Sequence, residues 1–174
     1  MTFDQDLVRA AAAVLDACRA RRLSLATAES CTGGLIAACL TEVAGASDVL
    51  ERGFVSYSNP AKGEMLGVPE ALIAKEGAVS EAVARAMAEG ALERSGADLA
   101  LSCTGIAGPG GGTAAKPIGL VHIAAARKHG STLHRRREFG DLGRAEVRWQ
   151  TVAAALDLVA DLLRAPPPGP GHGR

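Results

Sequence analysis

Aromatic side chains are scarce: three Phe, one Tyr and one Trp in 174 residues. A core must therefore be built from Ala, Leu, Val and Ile. Net charge is also missing, since 19 Lys and Arg balance 19 Asp and Glu. That balance excludes the basic footprint of a nucleic-acid binder. The one dense basic run, Arg135-Arg136-Arg137, reads as a solvated strand face. No run approaches 18 apolar residues, so no membrane span is expected. No pair of the four cysteines (Cys18, Cys31, Cys39 and Cys103) has C-x-x-C spacing, and the histidines form no H-E-x-x-H pattern. Neither a structural nor a catalytic metal site is expected. Asp4 and Asp6 precede the first apolar run, where a secretory leader would be positive. The expectation is a cytoplasmic protein with reduced thiols.

Nearly half of the residues are apolar, at 48 %, enough to bury a core in one domain of this length. Apolar spacing predicts helices over 4–21, about 32–43, from Asn59 onward, 81–95 and 144–163. Strand composition marks LSLATA (23–28), GFVSYS (53–58), ADLALSCTG (97–105), IGLVHIAAAR (118–127) and TLHRRREF (132–139). The alternation predicts an α/β domain over residues 1–165. The late hairpin, turned at KHGS, makes its sheet mixed. Residues 166–174, almost all Pro and Gly, are expected to be a disordered tail. The Ala-rich last helix permits a homo-oligomer without requiring one.

In open α/β sheets ligands bind beyond the carboxyl ends of strands. Three segments place unusual chemistry there: AESCTGG (28–34), VSYSNPAK (55–62) and SCTGIAGPGGG (102–112). In the first, Ser30 and Cys31 stand side by side before a helix. Free N–H groups of a first helical turn attract an anion. Ser30 could use them as an oxyanion hole, while Gly33 and Gly34 let a ligand approach. Cys31 competes, because a helix N-terminus activates a thiol. A third reading makes Ser30 or Thr32 a helix cap. In the second segment Lys62 offers a base if burial lowers its pKa, and Tyr57 could orient the pair. The third segment is rich in unobstructed N–H groups, suited to an anion-binding nest. Arg144 and Arg148, four apart on the last helix, could hold a phosphate.

Read together, TAESCTGGLIA, ERGFVSYSNPAKGEMLGV, GAVSEAVARAMAEGAL, SCTGIAGPGGGTAAKPIGLVHIA and GDLGRAEVRWQ resemble the CinA C-terminal domain family, whose members include nicotinamide mononucleotide (NMN) deamidases. The likeness covers residues 5–163. It implies a three-layer α/β/α domain with a mixed sheet. It also implies a serine amidohydrolase that turns NMN into nicotinate mononucleotide and ammonia in pyridine nucleotide recycling. The matching catalytic residues are Ser30 and Lys62, with Tyr57. Substrate binding would fall to Thr32, Gly33, Gly34, Thr104, Gly105, Gly108, Gly110 and an arginine. The family's GDR appears here as GDLGR, two residues longer, so Arg144 and Arg148 both remain candidates. No metal or organic cofactor is implied, and the partner is a small nucleotide. The alternatives are a non-catalytic nucleotide-binding module and an amidohydrolase acting on another amide.

Overall fold

The computed structural model describes residues 3–165; the Pro/Gly tail expected over 166–174 lies outside them. Five strands form one sheet: β1 (Leu25–Glu29), β2 (Leu50–Val55), β3 (Leu99–Gly105), β4 (Leu120–Arg127) and β5 (Thr132–Glu138). Their spatial order is β2-β1-β3-β4-β5. The first three run parallel, and β4 pairs antiparallel with both β3 and β5, so the sheet is mixed. Six helices cover its two faces: α1 (Gln5–Ala20), α2 (Leu35–Thr41), α3 (Asn59–Leu66), α4 (Glu70–Glu76), α5 (Glu81–Ser95) and α6 (Arg144–Arg164). The result is the three-layer α/β/α arrangement. No helix among the described residues is long and apolar enough to cross a membrane.

Strand alternation decides which helices lie on which face. Leu25, Leu99, Leu101, Val121, Ile123 and Ala125 pack with α1, α2 and α6 in the larger core. Ala26, Ala28 and Ala100 face the other way, beside Leu66, Val83 and Met87 of α3 and α5. Small side chains on that face let α5 lie close to the sheet. Cys18 and Cys39 are buried, and burial pushes each thiol up to about 11.

Gly90, inside α5, fixes the height of α3. A Cβ there would run into the backbone carbonyl of Leu66. Glycine within a helix ordinarily costs up to about 1 kcal/mol relative to alanine. Here close approach overrides propensity. Gly90→Ala is therefore expected to destabilise by about 2–3 kcal/mol, against its better helix propensity. Urea melts measure that loss. Because α3 carries Lys62, turnover should fall with it.

Two elements are displaced from the sequence reading by three residues, more than the others. Strand β2 covers 50–55, not 53–58. It is an edge strand with mostly exposed residues, so alternation of apolar side chains does not mark it. Helix α2 begins at Leu35, three residues later than expected. Gly33 and Gly34 adopt positive φ (60° and 99°), and Gly34 is the residue preceding the helix. Ser30 thus sits in a turn between strand and helix, five residues before the first helical position.

Candidate active site

Ser30 leaves the carboxyl end of β1, where its N–H bonds the Cys103 carbonyl. It is 9 % exposed. Across the strand gap, Ser56 N–H bonds the Glu29 carbonyl and so extends the β1–β2 ladder by one residue. The chain then turns into α3. Ser58 caps that helix by accepting from the Ala61 N–H, and Pro60 occupies its first turn. Proline suits that position because its missing N–H would be unpaired anyway. One turn further on, Lys62 points back under the strand ends. Its Nζ donates to Ser30 Oγ at 3.0 Å and to the Ser56 carbonyl at 2.9 Å.

Lys62 is 1 % exposed. Burial lowers its pKa, against weaker opposition from the Cys31 and Cys103 sulfurs. A buried ammonium loses hydration that two neutral acceptors do not replace, so the balance shifts toward the neutral amine. A neutral amine within 3.0 Å of a serine hydroxyl is a base placed on a nucleophile. Cys31 does not compete. The Cys103 thiol beside it, together with burial, pushes Cys31 well above the ordinary thiol value. A protonated, buried thiol packs; it does not attack.

The residue that sequence reasoning missed is Glu29. Its carboxylate is fully buried. Oε2 accepts from the N–H groups of Gly34 and Ile36 (both 3.0 Å) and from the Thr32 hydroxyl (2.6 Å). Oε1 accepts from the Ala37 N–H (2.9 Å) and the Thr27 hydroxyl (3.4 Å). The anion drawn to the start of α2 is thus the protein's own side chain. This corrects the expectation that those helical N–H groups meet a ligand. Glu29 leaves the N–H groups of Cys31 and Thr32 unengaged, directly after Ser30. The signal in the sequence was an acid ending a buried strand before a helix whose preceding residue, Gly34, has no side chain to cap it.

Other expected contacts divide. Thr32 is fully buried, and its hydroxyl is taken up between Glu29 and Cys103 Sγ (3.0 Å). Tyr57 is 58 % exposed, and its hydroxyl accepts from Arg144 at 2.6 Å. Its hydrogen bond is therefore to Arg144, not to Ser30 or Lys62. Arg144 also donates to the Gly108 carbonyl at 3.0 Å, joining Tyr57 to the glycine loop. Arg148 instead donates to the Thr32 carbonyl at 2.8 Å and lies against Gly33. The two arginines part: Arg144 faces the loop, and Arg148 holds the serine turn.

Thr104 is buried beside that turn and donates to the Ala78 carbonyl at 2.8 Å. Gly105 abuts Val121, where a side chain would collide. Gly108 has a positive φ of 84°, and a Cβ on Gly110 would meet only open space. No cluster of His, Cys, Asp and Glu that could hold a metal occurs among the described residues.

The family model for the CinA C-terminal domain matches residues 8–163. A CinA-like protein of Synechococcus sp. (strain RCC307) is 47 % identical over 158 residues, which are 90 % of this chain and 38 % of that one. A CinA-like protein of Akkermansia muciniphila is 63 % identical over 110 residues, 63 % of this chain and 27 % of that one. The chain thus spans about a third of the length of the curated relatives it matches. Among solved structures, the competence/damage inducible protein CihA from Agrobacterium tumefaciens superposes with a TM-score of 0.91 at 49 % identity, covering 93 % of this chain and 98 % of that one. The competence damage-inducible protein A (ComA) from Klebsiella pneumoniae gives 0.86 at 36 % identity, covering 92 % and 99 %.

Proposed function

Because the chain belongs to the CinA C-terminal domain family, we propose that it hydrolyses the carboxamide of NMN, with Ser30 as nucleophile and Lys62 as base. The observation that carries this reading is the 3.0 Å bond between Lys62 Nζ and Ser30 Oγ inside the protein. A binding module has no use for a buried lysine held against a serine. The pyridinium ring of NMN is cationic, which further favours the neutral amine.

Neutral Lys62 takes the Ser30 hydroxyl proton as Oγ bonds to the carboxamide carbon. The tetrahedral oxyanion is held by the N–H groups of Cys31 and Thr32, the two that Glu29 leaves free. Charged Lys62 returns the proton to the leaving nitrogen, the C–N bond breaks, and ammonia departs. Water then attacks the ester with Lys62 as base again. Collapse of that second intermediate frees Ser30, which regains its proton from Lys62, and nicotinate mononucleotide. The scheme needs no metal or organic cofactor. The cellular role that follows is pyridine nucleotide recycling.

The phosphate falls to the glycine loop and Arg144, whose guanidinium is already directed there, and not to Arg148. Removing a group that binds ground state and transition state alike raises KM and spares kcat. Arg144→Ala is expected to raise KM for NMN about tenfold or more with kcat changed less, read from initial rates. Nicotinamide riboside, which lacks the phosphate, should be a poor substrate for the unaltered chain. Equal hydrolysis of both would remove the phosphate site.

The test of the activity is incubation of the purified chain with NMN and measurement of ammonia and nicotinate mononucleotide. Saturable binding without products would favour the non-catalytic module. Products from a different amide alone would keep the dyad and change the substrate.

A further inference from the structure

Beyond Ser30 the strand ends carry a second polar group. Glu29 pairs with Cys103, so Ser30 follows on beside Thr104, and Thr104 pairs directly with His122 on β4. Opposed residues project from the same face. Two strand spacings, roughly 10 Å, separate the backbones of Ser30 and His122. A pyridine ring with its ribose covers a distance of that order. His122 is 8 % exposed, and the chemistry above does not use it.

Its surroundings favour one position for the ring proton. His122 Nδ1 lies 3.0 Å from His134 Nε2. The ring centroids are 5.2 Å apart with planes 19° from parallel, which fits two nearly coplanar rings joined by an in-plane N–H···N bond. His134 Nδ1 lies 3.3 Å from a Glu81 carboxylate oxygen. A carboxylate only accepts, so Glu81 favours the His134 tautomer with its proton on Nδ1. Neutral His134 then has a bare Nε2, which accepts from the Nδ1–H of His122. Neutral His122 is left with a bare Nε2, which has no hydrogen-bond partner among the described residues.

Both rings are held neutral. Burial, then His134, Arg136 and Lys116, lower His122 to about 4, against Glu81. Burial and Arg85 lower His134, again against Glu81.

We propose that His122 is a substrate-contacting residue, whose bare Nε2 accepts a hydrogen bond from a hydroxyl or N–H of the molecule whose carboxamide lies at Ser30. Glu81 and His134 are positioning residues that set its tautomer across the β4–β5 hairpin. The proposal rests on the amidohydrolase reading for its substrate.

His122→Phe keeps a planar ring and removes the acceptor, while His122→Gln supplies another. Loss of one hydrogen bond predicts about a tenfold rise in KM for NMN in His122→Phe, with kcat little changed and His122→Gln recovering most of it. Two-bond ¹H–¹⁵N spectra of the substrate-free chain read the ring itself. They should show the Nδ1–H tautomer at His122 and a mixture of tautomers in His134→Leu. A KM within twofold of wild type in His122→Phe, or an Nε2–H tautomer in the wild type, overturns the proposal. Absence of ammonia release by the wild type would count against the substrate reading separately. Calorimetric Kd values for NMN would then decide: weaker binding by His122→Phe supports the contact, and equal binding, or none by either protein, overturns it.

Discussion

Lys62→Met is expected to lower kcat for NMN by about 10²- to 10⁴-fold, the span of a lost general base, with KM changed only a few-fold. Methionine keeps the unbranched stem that packs under the strand ends and removes only the amine. The fold should survive and gain stability at neutral pH. Lys62 has its folded pKa below the ordinary 10.5, so the unfolded chain holds that proton more tightly. Stability is therefore lost as pH falls from 10.5 toward the folded value, a cost Met does not carry. Activity has a matching sign. In the proposed chemistry the base is the neutral amine, so kcat/KM should fall as pH falls through the lowered Lys62 pKa and level off above it. The residual rate of Lys62→Met should lack that limb. A variant that keeps both rate and limb would place the base elsewhere.

Glu29→Ala is expected to be the most damaging substitution to the fold near the site. It strips the acceptor from three backbone N–H groups and two hydroxyls that all lie around one fully buried carboxylate. Each buried donor left unpaired costs about 1–3 kcal/mol, so a loss of about 4 kcal/mol or more should follow. Glu29→Gln keeps the shape but turns an amide NH₂ toward other donors, and about 2 kcal/mol is expected. Denaturant melts read both. The turn carrying Ser30 is fastened by these bonds, so kcat should fall in both variants. Glu29 moves no proton in the scheme. The pH limb of the residual activity in Glu29→Gln should therefore stay where the wild type has it. A displaced limb would make Glu29 part of the proton path.

Some of this was legible in the chain and some was not, for physical reasons. Helices α1, α5 and α6 repeat apolar residues at helical spacing, and β3 and β4 are nearly unbroken apolar runs; such signals are local. The meeting of Ser30 with Lys62 was suggested by their shared place at strand ends. The start of α2 was read three residues too early, because Gly33 and Gly34 act through left-handed backbone, a choice that side-chain periodicity does not display. Glu29 looked like an ordinary acid, since its five donors become neighbours only when α2 folds back onto β1. His122 was hidden further still. Its partners His134 and Glu81 reach it through strand pairing and helix packing, and no spacing rule links the three. Gly90 did leave a trace, as a glycine in the middle of a helix, but the Leu66 carbonyl it makes room for belongs to another element.

Ammonia release from NMN, followed for the wild-type chain and Ser30→Ala side by side, bears on the dyad most directly. The geometry predicts steady release with equimolar nicotinate mononucleotide from the wild type, and loss of nearly all of it in a Ser30→Ala protein that melts like the wild type. Ammonia released at the wild-type rate by Ser30→Ala would contradict the assignment of Ser30 as the nucleophile.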